Sequence, residues 1–149
     1  MDNKTLVLNE LLESQRQLSA ERIAREASTL RFQQAVQAAE NDLKQAKEIL
    51  KRCEFDATQE QEKYSAFSTY LNGLSDSGGD ILQRRLCELS NSVLAAKSKV
   101  ADAEAAVTNA IIALGQKQKD VDYCRNNEKA VAQDLARVSK EIDRLNQQP

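Results

Sequence analysis

The feature that most constrains this chain is a pair of long heptad arrays that one cluster of turn-forming residues interrupts. Apolar residues recur in alternating steps of three and four through nearly the whole sequence, which is typical of a coiled coil. The interruption lies at residues 72–80, which read NGLSDSGGD and hold three of the chain's four glycines. Two arrays joined by one short loop predict an all-α fold, in which two long helices form an antiparallel coiled-coil hairpin.

Both arrays can be written out as one seam, meaning the a and d positions at which the two helices meet. The first array is Leu8, Leu11, Gln15, Leu18, Arg22, Arg25, Thr29, Phe32, Val36, Ala39, Leu43, Ala46, Leu50, Cys53, Ala57, Glu60, Tyr64, Phe67, Leu71 and Leu74. The second array is Leu82, Leu86, Leu89, Val93, Ala96, Val100, Ala103, Val107, Ala110, Leu114, Lys117, Val121, Cys124, Glu128, Val131, Leu135, Val138, Ile142 and Leu145. The prediction is a single helical hairpin over 1–149, with helix 1 at about 3–72, a loop at 73–79 and helix 2 at about 80–146.

Capping signals agree with these bounds. Gly73 suits a left-handed residue that closes helix 1. Ser77 precedes Asp80 by three residues, as in a capping box, and an acidic residue favours a helix start.

Charged residues inside the arrays help to choose the register of the hairpin. One register sets Leu71 opposite Leu82 and Arg25 opposite Glu128, whereas a register shifted by one heptad sets Glu128 against Phe32. A charge in a seam is costly unless it is paired. We therefore prefer the first register, which predicts a seam ion pair between Arg25 and Glu128.

The composition argues against several functions. The chain has no histidine, 21 basic and 23 acidic residues, and a net charge of −2. No catalytic, phosphate-binding or metal-binding motif is found, and the three cysteines lack CxxC spacing. No apolar run is long enough for a membrane span, and the N-terminus does not read as a signal peptide. We expect a cytoplasmic protein that is not an enzyme, holds no cofactor or metal, and binds no nucleic acid.

Function is therefore expected at surfaces formed by apolar side chains outside the best-packed seam. An end group lies beside the N-terminus and comprises Leu6, Val7 and Leu12. A tip group lies beside the loop and comprises Tyr70, Leu74 and Ile81. Exposed apolar groups at these two places favour contact with partners.

A third set, the lateral stripe, comprises Ile23, Ala27 and Leu30, which share a helix face beside the weak seam positions Arg22 and Arg25. Two interpretations stay open. The stripe faces outward and binds a partner, or a local shift of register buries it in the seam in place of the arginines.

The whole chain resembles the type III secretion central stalk family, the FliJ and YscO-like proteins. The likeness consists of about 150 residues, helical throughout, with heptads on both sides of the loop at Gly73–Asp80 and no enzymatic residues. No short motif is shared residue for residue, and the alanine-rich second half departs from the more highly charged members.

The resemblance implies a stalk whose paired termini sit in the pore of a hexameric secretion ATPase and whose loop reaches the cytoplasmic ring of the export gate. Export chaperones are further implied partners. The protein would be a monomer in isolation and would assemble at the cytoplasmic face of the inner membrane. Alternatives are a cytosolic coiled-coil scaffold or tether for other partners, and a prefoldin-like chaperone subunit. The resemblance does not say whether the apparatus is flagellar or an injectisome.

Overall fold

Two long helices account for almost all of the chain. The computed structural model describes residues 2–76 and 78–148, with α1 at Asn3–Asn72 and α2 at Gly79–Asn146. No strand occurs within these residues. The predicted all-α fold, an antiparallel helical hairpin, is confirmed.

The helix ends are closed by local hydrogen bonds. The Lys4 backbone N–H donates to Asp2 Oδ1 at 3.2 Å, so Asp2 caps the start of α1. At the other end, the Gly73 N–H donates to the carbonyl oxygens of Thr69 and Tyr70 at 3.2 and 3.1 Å. Gly73 does not take a positive φ, so the expected left-handed cap at this residue is wrong. The proposed capping residue Ser77 lies outside the described residues.

The positive-φ glycines are instead Gly78 (80°) and Gly79 (74°), just where α2 begins. A Cβ on Gly78 would lie 2.8 Å from Leu82 Cδ1 and 2.9 Å from Leu71 Cδ2, distances that no real Cβ tolerates. The Gly78 N–H donates to Asp76 Oδ1 at 3.1 Å, which holds the turn. Gly78 therefore suits this turn on two counts, since its positive φ favours glycine and the two leucines pack where a side chain would be.

The chain divides into two compact units, and each contains a stretch of both helices. The terminal unit comprises residues 1–38 and 115–149, and the loop unit comprises residues 39–114. Each unit is thus an antiparallel pair of helical segments with its own stretch of seam.

The seam follows the predicted heptads in both units. Every buried apolar residue occupies a predicted a or d position; they are Ala39, Leu71, Leu89, Val93, Ala103, Val121, Val131 and Ile142. Thr29, also at a seam position, is buried as well. The charged seam residues Arg22, Arg25 and Lys117 are exposed, because their long side chains carry the charge out to water.

Contacts between the helices of the terminal unit fix its register. Gln15 Nε2 donates to Ser139 Oγ at 3.1 Å, and Lys4 Nζ donates to the Gln148 carbonyl oxygen at 2.7 Å. The predicted register, which sets Leu71 opposite Leu82, would place each of these two partners one residue away, so both contacts agree with it.

The predicted ion pair between Arg25 and Glu128 is wrong. Arg25 Nη2 instead contacts Glu21 Oε1 at 3.3 Å, one turn back on its own helix. Glu128 Oε2 accepts a hydrogen bond of 2.9 Å from the Thr29 hydroxyl. An exposed pair along one helix spares Arg25 the desolvation that a seam pair would require, and Thr29 supplies Glu128 with a neutral donor.

Candidate functional site

The end group lies in the terminal unit, on the first turns of α1. Leu6, Val7 and Leu12 are 48%, 50% and 44% exposed, whereas the seam residues Leu8 and Leu11 beside them are half-buried. Because α1 has a helical repeat of 3.6 residues, Val7 and Leu12, each one position from a seam residue, fall on the two flanks of the seam, and Leu6 falls on the outer face. The end group thus presents apolar surface beside the packed helix pair.

The tip group lies in the loop unit, and its three members differ in solvent exposure. Tyr70 is 59% exposed and Ile81 is 79% exposed, whereas Leu74 is half-buried. The Tyr70 ring lies 6.4 Å from the Phe67 ring between centroids, at a tilt of 36°. Tyr70 and Ile81 are therefore the accessible members, with an aromatic pair supporting Tyr70.

The lateral stripe faces outward in the terminal unit. Ile23 is 68% exposed, Leu30 is 56% exposed, and Ala27 is exposed as well. The alternative, a shift of register that buries this stripe, is wrong. Thr29 is buried in the seam instead, where its hydroxyl contacts Glu128.

The seam next to this stripe is polar, with a contact between Thr29 and Glu128. The Thr29 hydroxyl lies 2.9 Å from Glu128 Oε2 and 3.0 Å from the Arg25 carbonyl oxygen, and can donate its one proton to either acceptor. Glu128 was recognised as a charged seam residue, but Thr29 was not recognised as its partner. A threonine at an a position near a seam glutamate is the signal that could have found it.

This polar seam borders an open groove of about 580 Å³ between α1 and α2 within the terminal unit. Its lining residues are Arg22, Glu26, Thr29, Leu30, Gln33, Arg125, Glu128, Lys129 and Ala132. The seam residue Arg22, which is exposed, is one of the residues that line this groove. Arg125 and Lys129, spaced by four residues, were not predicted as site residues.

Further large apolar side chains are exposed away from the groups defined above. They are Ile49, Phe55, Leu94, Ile111 and Ile112 in the loop unit and Tyr123 in the terminal unit. Single exposed apolar residues are normal on protein surfaces. Phe55 and Ile112 therefore serve as control positions for the variants below.

Ion pairs between described residues join side chains three or four positions apart on one helix. Arg16 Nε donates to Glu13 Oε2 at 3.0 Å, and this hydrogen bond lowers the pKa of Glu13 and raises that of Arg16. Arg16 is exposed and Glu13 is partly exposed, so the pair organises the surface of α1 rather than a site.

Cys53, Cys87 and Cys124 are free thiols, and no group of three His, Cys, Asp or Glu side chains comes together within 2–76 and 78–148. In the part of the chain that the structure describes, neither helix contains a stretch apolar enough to cross a membrane.

Comparison of the chain with protein-family models, with curated proteins and with solved structures gives no match.

Proposed function

We propose that this chain is a non-enzymatic central stalk of a bacterial type III secretion export apparatus, which binds one partner through the end group and another through the tip group. The observation that carries the proposal is the exposure of large apolar side chains beside the termini and again beside the loop. Leu6 and Val7 are about half exposed, and Ile81 is 79% exposed. Each group belongs to a different unit of the hairpin.

Burial of these groups supplies the energy for binding. Full burial of an aliphatic or aromatic side chain stabilises a contact by about 1.5–3 kcal/mol. The end group offers three such side chains on the first turns of α1, and the tip group offers Tyr70 and Ile81 near the loop. Contacts of this size suit moderate affinity, since association also costs translational and rotational freedom.

The partners come from the resemblance of the sequence to the stalk family. The end group would seat in the pore of a hexameric secretion ATPase, and the tip group would contact the cytoplasmic ring of the export gate. Export chaperones are further candidate partners. The assembled protein would lie at the cytoplasmic face of the inner membrane, and the isolated chain would be a monomer.

Two triple variants test the proposal. L6S/V7S/L12S removes the end group and Y70S/L74S/I81S removes the tip group, while F55S/I112S is the matched control. Each protein would be mixed with the purified secretion ATPase and with the purified cytoplasmic ring of the export gate from the same bacterium, and binding measured by biolayer interferometry. We expect the end variant to lose binding to the ATPase only and the tip variant to lose binding to the ring only.

Circular dichroism shows whether each variant keeps the helicity of the parent. The stalk proposal fails if the parent binds neither protein. It also fails if both triple variants bind like the parent while F55S/I112S does not.

A second candidate is a cytosolic coiled-coil scaffold or tether for other partners. The observation in its favour is the exposure of Leu94 (62%), Ile111 (52%) and Ile112 (57%), which belong to neither the end group nor the tip group. Loss of partner binding in the F55S/I112S variant alone would favour the scaffold over the stalk.

A further inference from the structure

The lateral stripe is a short apolar row on the outer face of α1. Ile23, Ala27 and Leu30 follow one another at steps of four and three, which places them along one side of the helix. Ile23 and Leu30, its large members, are both more than half exposed. The same spacing is used by helices that lay their apolar faces against a partner helix.

The groove described above runs beside this stripe and has two chemically different walls. Leu30 contributes an apolar side chain from α1, whereas Arg125 and Lys129 line the groove from α2. Ile23 borders a neighbouring depression together with Arg22 and Glu26, which extends the apolar wall along α1. An incoming segment would therefore meet apolar side chains on one side and basic ones on the other.

The charges of the α1 wall are already matched. Arg22 Nε contacts Glu26 Oε1 at 3.1 Å, so these two groups compensate each other. Glu128, which lies between the basic residues in sequence, accepts the hydrogen bond from the Thr29 hydroxyl. The α1 wall therefore carries little net charge. Glu128 at the floor keeps its negative charge, because a hydroxyl donor does not neutralise it, but the two basic residues of the α2 wall outnumber it.

The charges of the α2 wall are not matched. Arg125 and Lys129 are exposed and one helical turn apart. Neither forms an ion pair with any described residue. Two unpaired cations beside an apolar stripe select for a partner that brings carboxylates on the matching side, because complementary charge sets register and orientation.

We propose that this surface, which comprises the lateral stripe together with Arg125 and Lys129, binds an amphipathic helix of a partner protein. The partner helix presents apolar residues at steps of three and four to Ile23 and Leu30, and a row of Asp or Glu to Arg125 and Lys129. Docking there completes a local three-helix arrangement where the seam is polar. The stripe spans only about two turns, or about 10 Å of helix, so the contact is a weak and reversible one. This surface is distinct from the end and tip groups and does not depend on the stalk function.

Two synthetic helical peptides of about 21 residues, long enough to form several turns, probe the surface in fluorescence anisotropy with the full chain. Both carry Leu and Ala at steps of three and four; one carries Glu along a single flank and the other carries Lys at the same positions. We expect the parent to bind the Glu peptide about five- to tenfold more tightly, the range that two exposed ion pairs provide.

Charge reversal and removal of the stripe separate the two parts of the surface. R125E/K129E is expected to reverse the preference, so that the Lys peptide binds more tightly. I23S/L30S is expected to weaken the binding of both peptides at least about 30-fold, because the apolar anchors are lost. The control F55S/I112S should bind both peptides like the parent. All these positions are exposed, so the variants should keep the parent's helicity in circular dichroism.

Equal binding of both peptides by the parent would overturn the proposal, as would an unchanged preference in R125E/K129E. Sedimentation equilibrium tests the other occupant, a second copy of this chain. A dimer of the parent that I23S/L30S reduces to a monomer would show that the stripe joins two copies, and would also overturn the proposal.

Discussion

The seam of the loop unit contains Leu71, Leu89 and Val93, all buried, whereas the seam of the terminal unit passes through the exposed residues Arg22 and Arg25. All interhelical hydrogen bonds between described residues lie in the terminal unit. The same heptad spacing is therefore filled mostly by apolar contact in the loop unit, where Glu60 is the charged exception, and partly by polar contact in the terminal unit.

The difference concerns stability and register. Apolar contacts stabilise a helix pair without strong directional preference, so small and similar side chains leave the register weakly specified. Interhelical hydrogen bonds such as Gln15 to Ser139 add little net free energy but link particular residues of the two helices. The loop unit is thus expected to be the more stable unit, and the terminal unit the one whose register is fixed by polar contacts and whose surface is open to a partner.

Amide hydrogen exchange tests this comparison most strongly. Each polar seam position forfeits the burial of a large apolar side chain, worth about 1.5–3 kcal/mol. We expect amides at residues 22–29 and 124–131 to exchange about 100-fold faster than those at residues 86–114, as local opening there costs less free energy. Mass spectrometry of peptides from native-state exchange measures the ratio. Equal protection of both regions would contradict the comparison.

Two glycine variants probe the loop unit. Gly78→Ala should lower the free energy of unfolding by about 2–3 kcal/mol, because a left-handed alanine is strained and its Cβ meets Leu71 and Leu82. Gly79 also has a positive φ but has open space around it, so Gly79→Ala should cost only the backbone strain, about 1–2 kcal/mol. Urea unfolding of both variants gives the difference. An equal loss of unfolding free energy in the two variants would mean that Leu71 and Leu82 move aside readily.

Replacing Thr29 and Glu128, the polar pair of the terminal unit, should reduce the difference in stability between the two units. Thr29→Leu together with Glu128→Leu is expected to raise the free energy of unfolding by about 1–3 kcal/mol, since apolar side chains replace a half-buried carboxylate and its donor. Thr29→Val alone should destabilise, because Glu128 then lacks its donor. The midpoint of urea unfolding reports the change in stability for the double variant and for the single variant. Stabilisation by the single variant would show that the hydrogen bond contributes nothing to the fold.

Much of this architecture was available from the sequence, for a simple reason. Heptad spacing and a glycine-rich loop act locally, so they predicted the two helices and the seam positions that the structure buries, including Val121, Val131 and Ile142. Helix periodicity is a property of the chain alone. The end group, too, is exposed where the pattern placed it outside the seam.

Tertiary structure alone decided which polar groups meet and which apolar groups stay free. Arg25 had carboxylates available on both helices, and the pairing with Glu21 rather than Glu128 follows from the lower desolvation of an exposed pair. The positive φ at Gly78 rather than Gly73 follows from the packing of Leu71 and Leu82 against the turn. Such choices depend on distances between residues far apart in sequence, and a one-dimensional pattern of residue types does not contain those distances.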